Sequence, residues 1–329
     1  MRVDLKSLKN RKDFDMRKFL SLFLCVCFVF GMSFSVSAAT ENTPNTINEL
    51  VVSENSEVIV SKDMNLGTIS YSTFDYAPAS TTYTLGTRGE VSQGWFPDAS
   101  TSETDGAFTH SVIGSDGRKK VSNTEAYPYS AICYIEIDWP DGSTGLGTAW
   151  MIYSDIAITA GHCVYSSEHG GWAEKIKLWP GKDGFGLWNN PYGTTETTTL
   201  HAASQWTESE DGEHDWAVLE LEDDIGNKTG WFGLGWTSAD LTGTNVTISG
   251  YPGEHRYYQY EMSDKITRCS TNKLFYNVID TSEGQSGSPI YTSDNIAYGI
   301  HCHGVNGNNE NSGTRITEWR FNYFKSFKH

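Results

Sequence analysis

From Ser111 to His329 the chain repeats one local pattern, a short apolar or alternating run followed by a turn signal. The runs are Ala131–Ile137, Thr148–Ile152, Ile156–Ala160, Lys175–Leu178, Trp216–Leu221, Asn245–Ser249, Leu274–Ile279, Pro289–Tyr291 and Ile296–His301. Clusters such as Pro140-Asp141-Gly142, Asn190-Pro191 and Tyr251-Pro252-Gly253 separate them. Many short strands punctuated by Gly, Pro and Asn specify an all-β sandwich or barrel. Only the tail departs from this. Residues Thr314 to Lys328 place Ile316, Trp319, Phe324 and Phe327 at helical spacing, with Thr314 as the expected N-cap of a terminal helix (314–328).

Residues 1–38 have the layout of an export signal. A basic stretch, Met1 to Lys18, is followed by an apolar run, Phe19 to Phe34, and small residues at Val36-Ser37-Ala38. The apolar run is short for a membrane helix, although an uncleaved anchor is the alternative; Met16 offers a second start for the same signal. Residues 39–110 are polar, free of cysteine, and carry strand-like runs at Leu50–Val52 and Val58–Val60. Their place between a leader and a cysteine-bearing body is that of a pro-region; a flexible linker is the alternative. The formal charge of −17 and pI of about 4.9 argue against a nucleic-acid partner, which needs basic surface, and against attraction to anionic membranes.

Three segments carry chemistry. An apolar strand runs out into Gly161-His162-Cys163, Asp215 heads the run Trp216–Leu221, and Ser286 sits in the Gly-bounded loop Gly284-Gln285-Ser286-Gly287-Ser288. A serine hydroxyl becomes a nucleophile when an adjacent imidazole takes its proton, and a carboxylate on the far ring nitrogen fixes the tautomer. The glycines let backbone N–H groups, those of Gly284 and Ser286, point at a developing oxyanion. His162, Asp215 and Ser286 are therefore the expected catalytic residues of an acyl-transfer enzyme acting on protein or peptide substrates, without cofactor or metal, as an extracellular monomer. A non-catalytic secreted binding module is the reading from another class.

Ser111-Val112-Ile113-Gly114-Ser115-Asp116, Ala126-Tyr127-Pro128-Tyr129, Trp150-Met151-Ile152, Thr159-Ala160-Gly161-His162-Cys163, Ile248-Ser249-Gly250-Tyr251-Pro252-Gly253, Gly284–Pro289 and Gly313-Thr314-Arg315-Ile316-Thr317 resemble the secreted glutamyl endopeptidases of Bacillus. These are V8-like members of the chymotrypsin superfamily, whose chain order is also His, Asp, Ser. The resemblance covers Ser111 to about Lys325. It implies two six-stranded antiparallel β-barrels, here about 120–228 and about 229–312, and a mature body (111–329) freed near Ser111.

It also implies cleavage after Glu, less readily Asp, with the substrate carboxylate read by His301 and Thr281 and with Gly304 among the substrate-binding residues. An imidazole and a hydroxyl both donate to a carboxylate. Asp280 dissents: it stands where trypsin-like enzymes carry the aspartate that selects Lys and Arg, so cleavage after basic residues is the alternative. Glu283 near the pocket mouth works against acidic substrates. Of six cysteines, Cys25 and Cys27 leave with the leader, and Cys133, Cys163, Cys269 and Cys302 remain as disulfide candidates with three possible pairings. One arrangement joins Cys133 to Cys163, clamping the loop of His162, and Cys269 to Cys302. His255, His301 and His303 lack the spacing of a metal motif.

Overall fold

Strand Lys175–Pro180 shows why the sequence folds as it does: Ile176, Leu178 and Pro180 are buried while Lys175, Lys177 and Trp179 face outward, the two-residue period of a half-buried strand. It joins Ile132–Asp138, Thr144–Met151, Ile156–Thr159, Ala217–Leu221 and Thr195–Ala203 in antiparallel succession, and the pair Leu178–Thr195 closes the six strands into a barrel. The computed structural model describes residues 57–76, 89–95, 116–304 and 308–328; the leader, the Leu50–Val52 run and the junction at Ser111 lie outside these.

The second sheet runs Arg268–Cys269, Lys273–Tyr276, Asn311–Arg315, Ile296–His303, Pro289–Tyr291, Asn245–Gly250, Tyr260–Lys265 and Lys119–Lys120, curved into a half-barrel. Gly233–Thr237 belongs to the second sheet and pairs in parallel with Ile296–His303. Trp150 and Trp216 are fully buried in the main core. Leu274, Ile248, Ile279 and Ile290 form the smaller core of the second half.

Three strands come from the polar stretch ahead of the body. Val58–Asp63 pairs antiparallel with residues 199–203 of Thr195–Ala203, and Ile69–Thr73 pairs along its outer edge. Gly89–Val91 pairs with Gly233–Thr237.

The terminal helix is Glu318–Lys325. It starts later than the spacing suggests. Thr314 lies in strand Asn311–Arg315, and the N-cap is Thr317, whose hydroxyl accepts from the Arg320 N–H at 3.3 Å. The helix packs Trp319, Tyr323 and Phe324 around Trp216, at 6.1, 5.6 and 5.4 Å between ring centres.

The disulfide expectation is corrected: Cys133, Cys163, Cys269 and Cys302 are all free. Each thiol has its own surroundings. Cys302 Sγ lies 3.1 Å from the Asp215 carbonyl, whereas Cys269 Sγ lies 3.3 Å from Leu241 N and 3.1 Å from the Asp240 carboxylate. Cys163 Sγ faces the Ser286 carbonyl at 3.8 Å, and Cys133 is buried in the first barrel.

Candidate active site

Strand pairing brings His162 and Asp215 together. Ala217 is in register with Thr159, so the residues just beyond that pair, on a single turn (Gly161–Cys163) and at the head of the next strand, come to lie side by side. The His162 backbone N–H donates to Asp215 Oδ1 at 2.9 Å, and the ring Nδ1 lies 2.8 Å from Oδ2. A carboxylate only accepts, so Nδ1 carries the proton and Nε2 is left as the base. Asp215 is fully buried, and its main-chain carbonyl accepts from Thr314 Oγ1 at 2.9 Å. Burial disfavours charge on both groups, but each favours the other's ion. The imidazole pKa is held well above its usual value, with the Cys163 thiol adding to the effect of Asp215, and the carboxyl pKa is held below its usual range.

The Gly284–Ser288 loop is clamped from three sides. Thr148 N–H donates to the Ser286 carbonyl at 2.8 Å, Gly287 N–H to the His301 carbonyl at 2.7 Å, and Ser288 N–H to the Gln285 carbonyl at 3.0 Å. Gly287 has φ +92°, and a Cβ there would stand 2.0 Å from the Thr148 carbonyl. Gly284 has φ +89°, and its Cβ would meet the Tyr251 carbonyl at 2.5 Å. The Glu283 carbonyl accepts from Gly253 N–H at 2.6 Å, and in a planar trans peptide the Gly284 N–H then points the opposite way. Among the described residues, neither that N–H nor Ser286 N–H is taken up by a backbone carbonyl.

His162 and Ser286 line one open cleft of about 520 Å³ together with Thr281, Glu283, His301, His303 and Gly304. The Thr281 hydroxyl is buried and has no hydrogen-bond partner among the described residues. His301 is held from behind by the Tyr276 hydroxyl on Nδ1. Burial keeps Tyr276 a phenol, a donor, so Nδ1 accepts and Nε2 carries the ring proton. Burial, with His303 and His162 nearby, lowers the His301 pKa to about 3, which leaves the ring a neutral donor.

Asp280 does not line this cleft. It is 2% exposed, and its Oδ2 accepts from Gly117 N–H at 2.8 Å. Of the histidines weighed as a metal cluster, His301 and His303 share the cleft while His255 stacks on Tyr260 at 4.4 Å. Among the described residues no three His, Cys, Asp or Glu side chains are grouped to hold a metal ion.

Three contributors were not assigned to the catalytic machinery from the sequence. Tyr276 is one. The second is Arg118, fully buried, whose Nη1 donates to Ser282 Oγ at 2.8 Å and to Gln285 Oε1 at 2.7 Å, bracing the loop before Ser286. Asp116 and Glu254 are its counter-ions. The third is His303, whose Nε2 stands 3.3 Å from Asp215 Oδ2 without hydrogen-bond alignment, an electrostatic contact only. Tyr276 lies in the apolar run Leu274–Ile279 and His303 two residues beyond His301, but nothing in the sequence joins either to its partner.

A sequence-family model described as trypsin matches residues 120–325. A glutamyl endopeptidase of Bacillus licheniformis is 39% identical over 228 residues, 66% of this chain and 69% of that one. A protein of Bacillus subtilis named extracellular metalloprotease is 36% identical over 217 residues, 64% of this chain and 68% of that one. A solved structure of a Glu endopeptidase in complex with MPD superposes with a TM-score of 0.60 at 32% identity, covering 66% of this chain and 99% of that one.

Proposed function

This chain belongs to the trypsin family and is a serine endopeptidase, and from that premise we propose that it is exported and cleaves after glutamate, less readily aspartate, with Ser286 as nucleophile. In this reading His162 Nε2 takes the Ser286 proton as the hydroxyl attacks the scissile carbonyl, and then delivers it to the leaving amine. Asp215 holds the ring in the required tautomer and stabilises the imidazolium. Gly284 N–H and Ser286 N–H receive the oxyanion. Water then repeats the sequence on the acyl-enzyme. The leader 1–38 is removed, and the chain is cut between the pro-region 39–110 and the body on the way to the active form.

The observation that carries the glutamate preference is the pair Thr281 and His301. A buried, unpartnered hydroxyl and a neutral imidazole facing one cleft can both donate to a carboxylate. A glutamate carboxylate supplies one; a neutral side chain leaves both unpaired. Asp280, which motivated cleavage after Lys or Arg, is engaged with Gly117 away from the cleft. Gly304 lies in the lining where the substrate backbone would run. A panel of peptides differing only in the residue before the scissile bond tests the reading, with Glu expected first and Asp second. Faster cleavage after Lys or Arg would sink it.

The pH profile is a second test. The base must be neutral, so activity is lost as pH falls through the His162 pKa, which lies well above 6.5. His301, at about 3, does not titrate in that window. The acid limb of kcat/KM on a Glu peptide is expected as a single step with its midpoint above 6.5. A midpoint below 6.5, or a second step between pH 5 and the first, contradicts this assignment.

A further inference from the structure

The stretch ahead of the body is built into the first barrel. Thr195–Ala203 meets Lys175–Pro180 only at Thr195 and Glu196, and Val58–Asp63 occupies its other half, from Thr199 to Ala203. Ile59 and Val60 are buried there. Met64 N–H donates to the Thr198 carbonyl at 2.8 Å, and Lys62 Nζ to the Ala173 carbonyl at 2.7 Å. Further along, the Phe74 carbonyl accepts from Trp319 Nε1 at 3.0 Å, and the Phe74 ring stands edge-on to Trp319 and Tyr323 at 5.8 and 5.4 Å.

The charge arrangement is more telling. Arg320 is fully buried in the terminal helix, and its guanidinium donates to two neutral carbonyls, those of Arg315 and Glu213. The carboxylate that stands against it, at 3.5 Å, belongs to Glu57, which also lies 3.7 Å from His214 Nε2. No described residue of 57–76 or 89–95 lines the cleft.

We propose that Glu57–Tyr76 remains bound to the body after the chain is cut near residue 110, as the strand pair that covers the Thr199–Ala203 edge of the first barrel and as the counter-ion of Arg320. The mature protein is then a two-piece assembly. This rests on the maturation reading above. Withdrawing the segment would open the Thr199–Ala203 edge, uncover Trp319 and Tyr323, and leave a buried guanidinium without its carboxylate, each unfavourable. Because the segment sits away from the cleft, its retention leaves substrate access open.

The test uses the chain from Ala39 onward with Ser286→Ala to prevent self-digestion and a recognition site for an unrelated protease in place of residues 104–110. After that cut, the amino-terminal piece is expected to co-elute with the body one to one on size exclusion and to separate only in denaturant. Glu57→Ala and Phe74→Ala are each expected to weaken retention at least tenfold. Elution of the piece alone, from a body whose melting temperature is unchanged, overturns the proposal, as does equal retention in both variants. Should either variant fail to fold, the cut of the parent chain still decides. Mass spectrometry of the N-terminus of the Ser286-intact protein tests natural maturation separately, so failure there is distinguishable from failure of docking.

Discussion

Ser286→Ala is expected to lower kcat on a Glu-bearing peptide by about 10⁶-fold, the loss seen when a serine nucleophile is removed from a preorganised site. The fold and the peptide's KM should change little, because the main-chain bonds that hold the loop do not involve the Ser286 hydroxyl. The loop is held instead by main-chain bonds from Thr148 and to His301, and by Arg118 through Ser282 and Gln285. Cys302 also lines the cleft, but burial and the nearby Asp215 push its thiol pKa well up, so it does not supply a substitute thiolate. The measurement is active-site-titrated kinetics with circular dichroism as the fold control. Retention of more than about one hundredth of the rate would place the nucleophile elsewhere.

His301→Leu is expected to cut kcat/KM for Glu by about 10³-fold, and Thr281→Val by about 10- to 100-fold, as expected for hydrogen bonds to a charged group. The two differ because the imidazole is anchored from behind by Tyr276, whereas the Thr281 hydroxyl has no such brace. Peptides with Leu or Gln at the same position should lose far less, so the ratio of Glu to Leu cleavage is the readout. Uniform loss across all peptides would mean that these side chains only support the fold.

Much of this was legible in the sequence. All nine apolar runs fall on strands of the structure, and His162, Asp215 and Ser286 sit where strand ends and a Gly-bounded turn would put them. Strands that lack apolar alternation were not visible. Thr195–Ala203, written largely in threonine, closes the first barrel, and Asn311–Arg315 is wholly buried although its composition is that of a loop. Its burial also explains why Thr314 is no helix cap. Contacts across long sequence separation were equally hidden. Nothing near Arg118 announces Gln285, and nothing near Tyr276 announces His301. The thiols show the converse error, since an even count suggests bridges, whereas all four are free.

The neutrality of His301 has a consequence for the medium in which such an enzyme works. A cleft that binds a carboxylate through uncharged donors has no opposite charge for dissolved ions to mask. The body around it, residues 111–329, holds 28 Asp and Glu against 15 Lys and Arg, so acidic peptides approach against a repulsive field. Dissolved salt shortens the reach of that field, to about 8 Å at physiological ionic strength, and leaves the donors untouched. Brine should therefore quicken the encounter with acidic chains, where an arginine-lined pocket would be weakened by it.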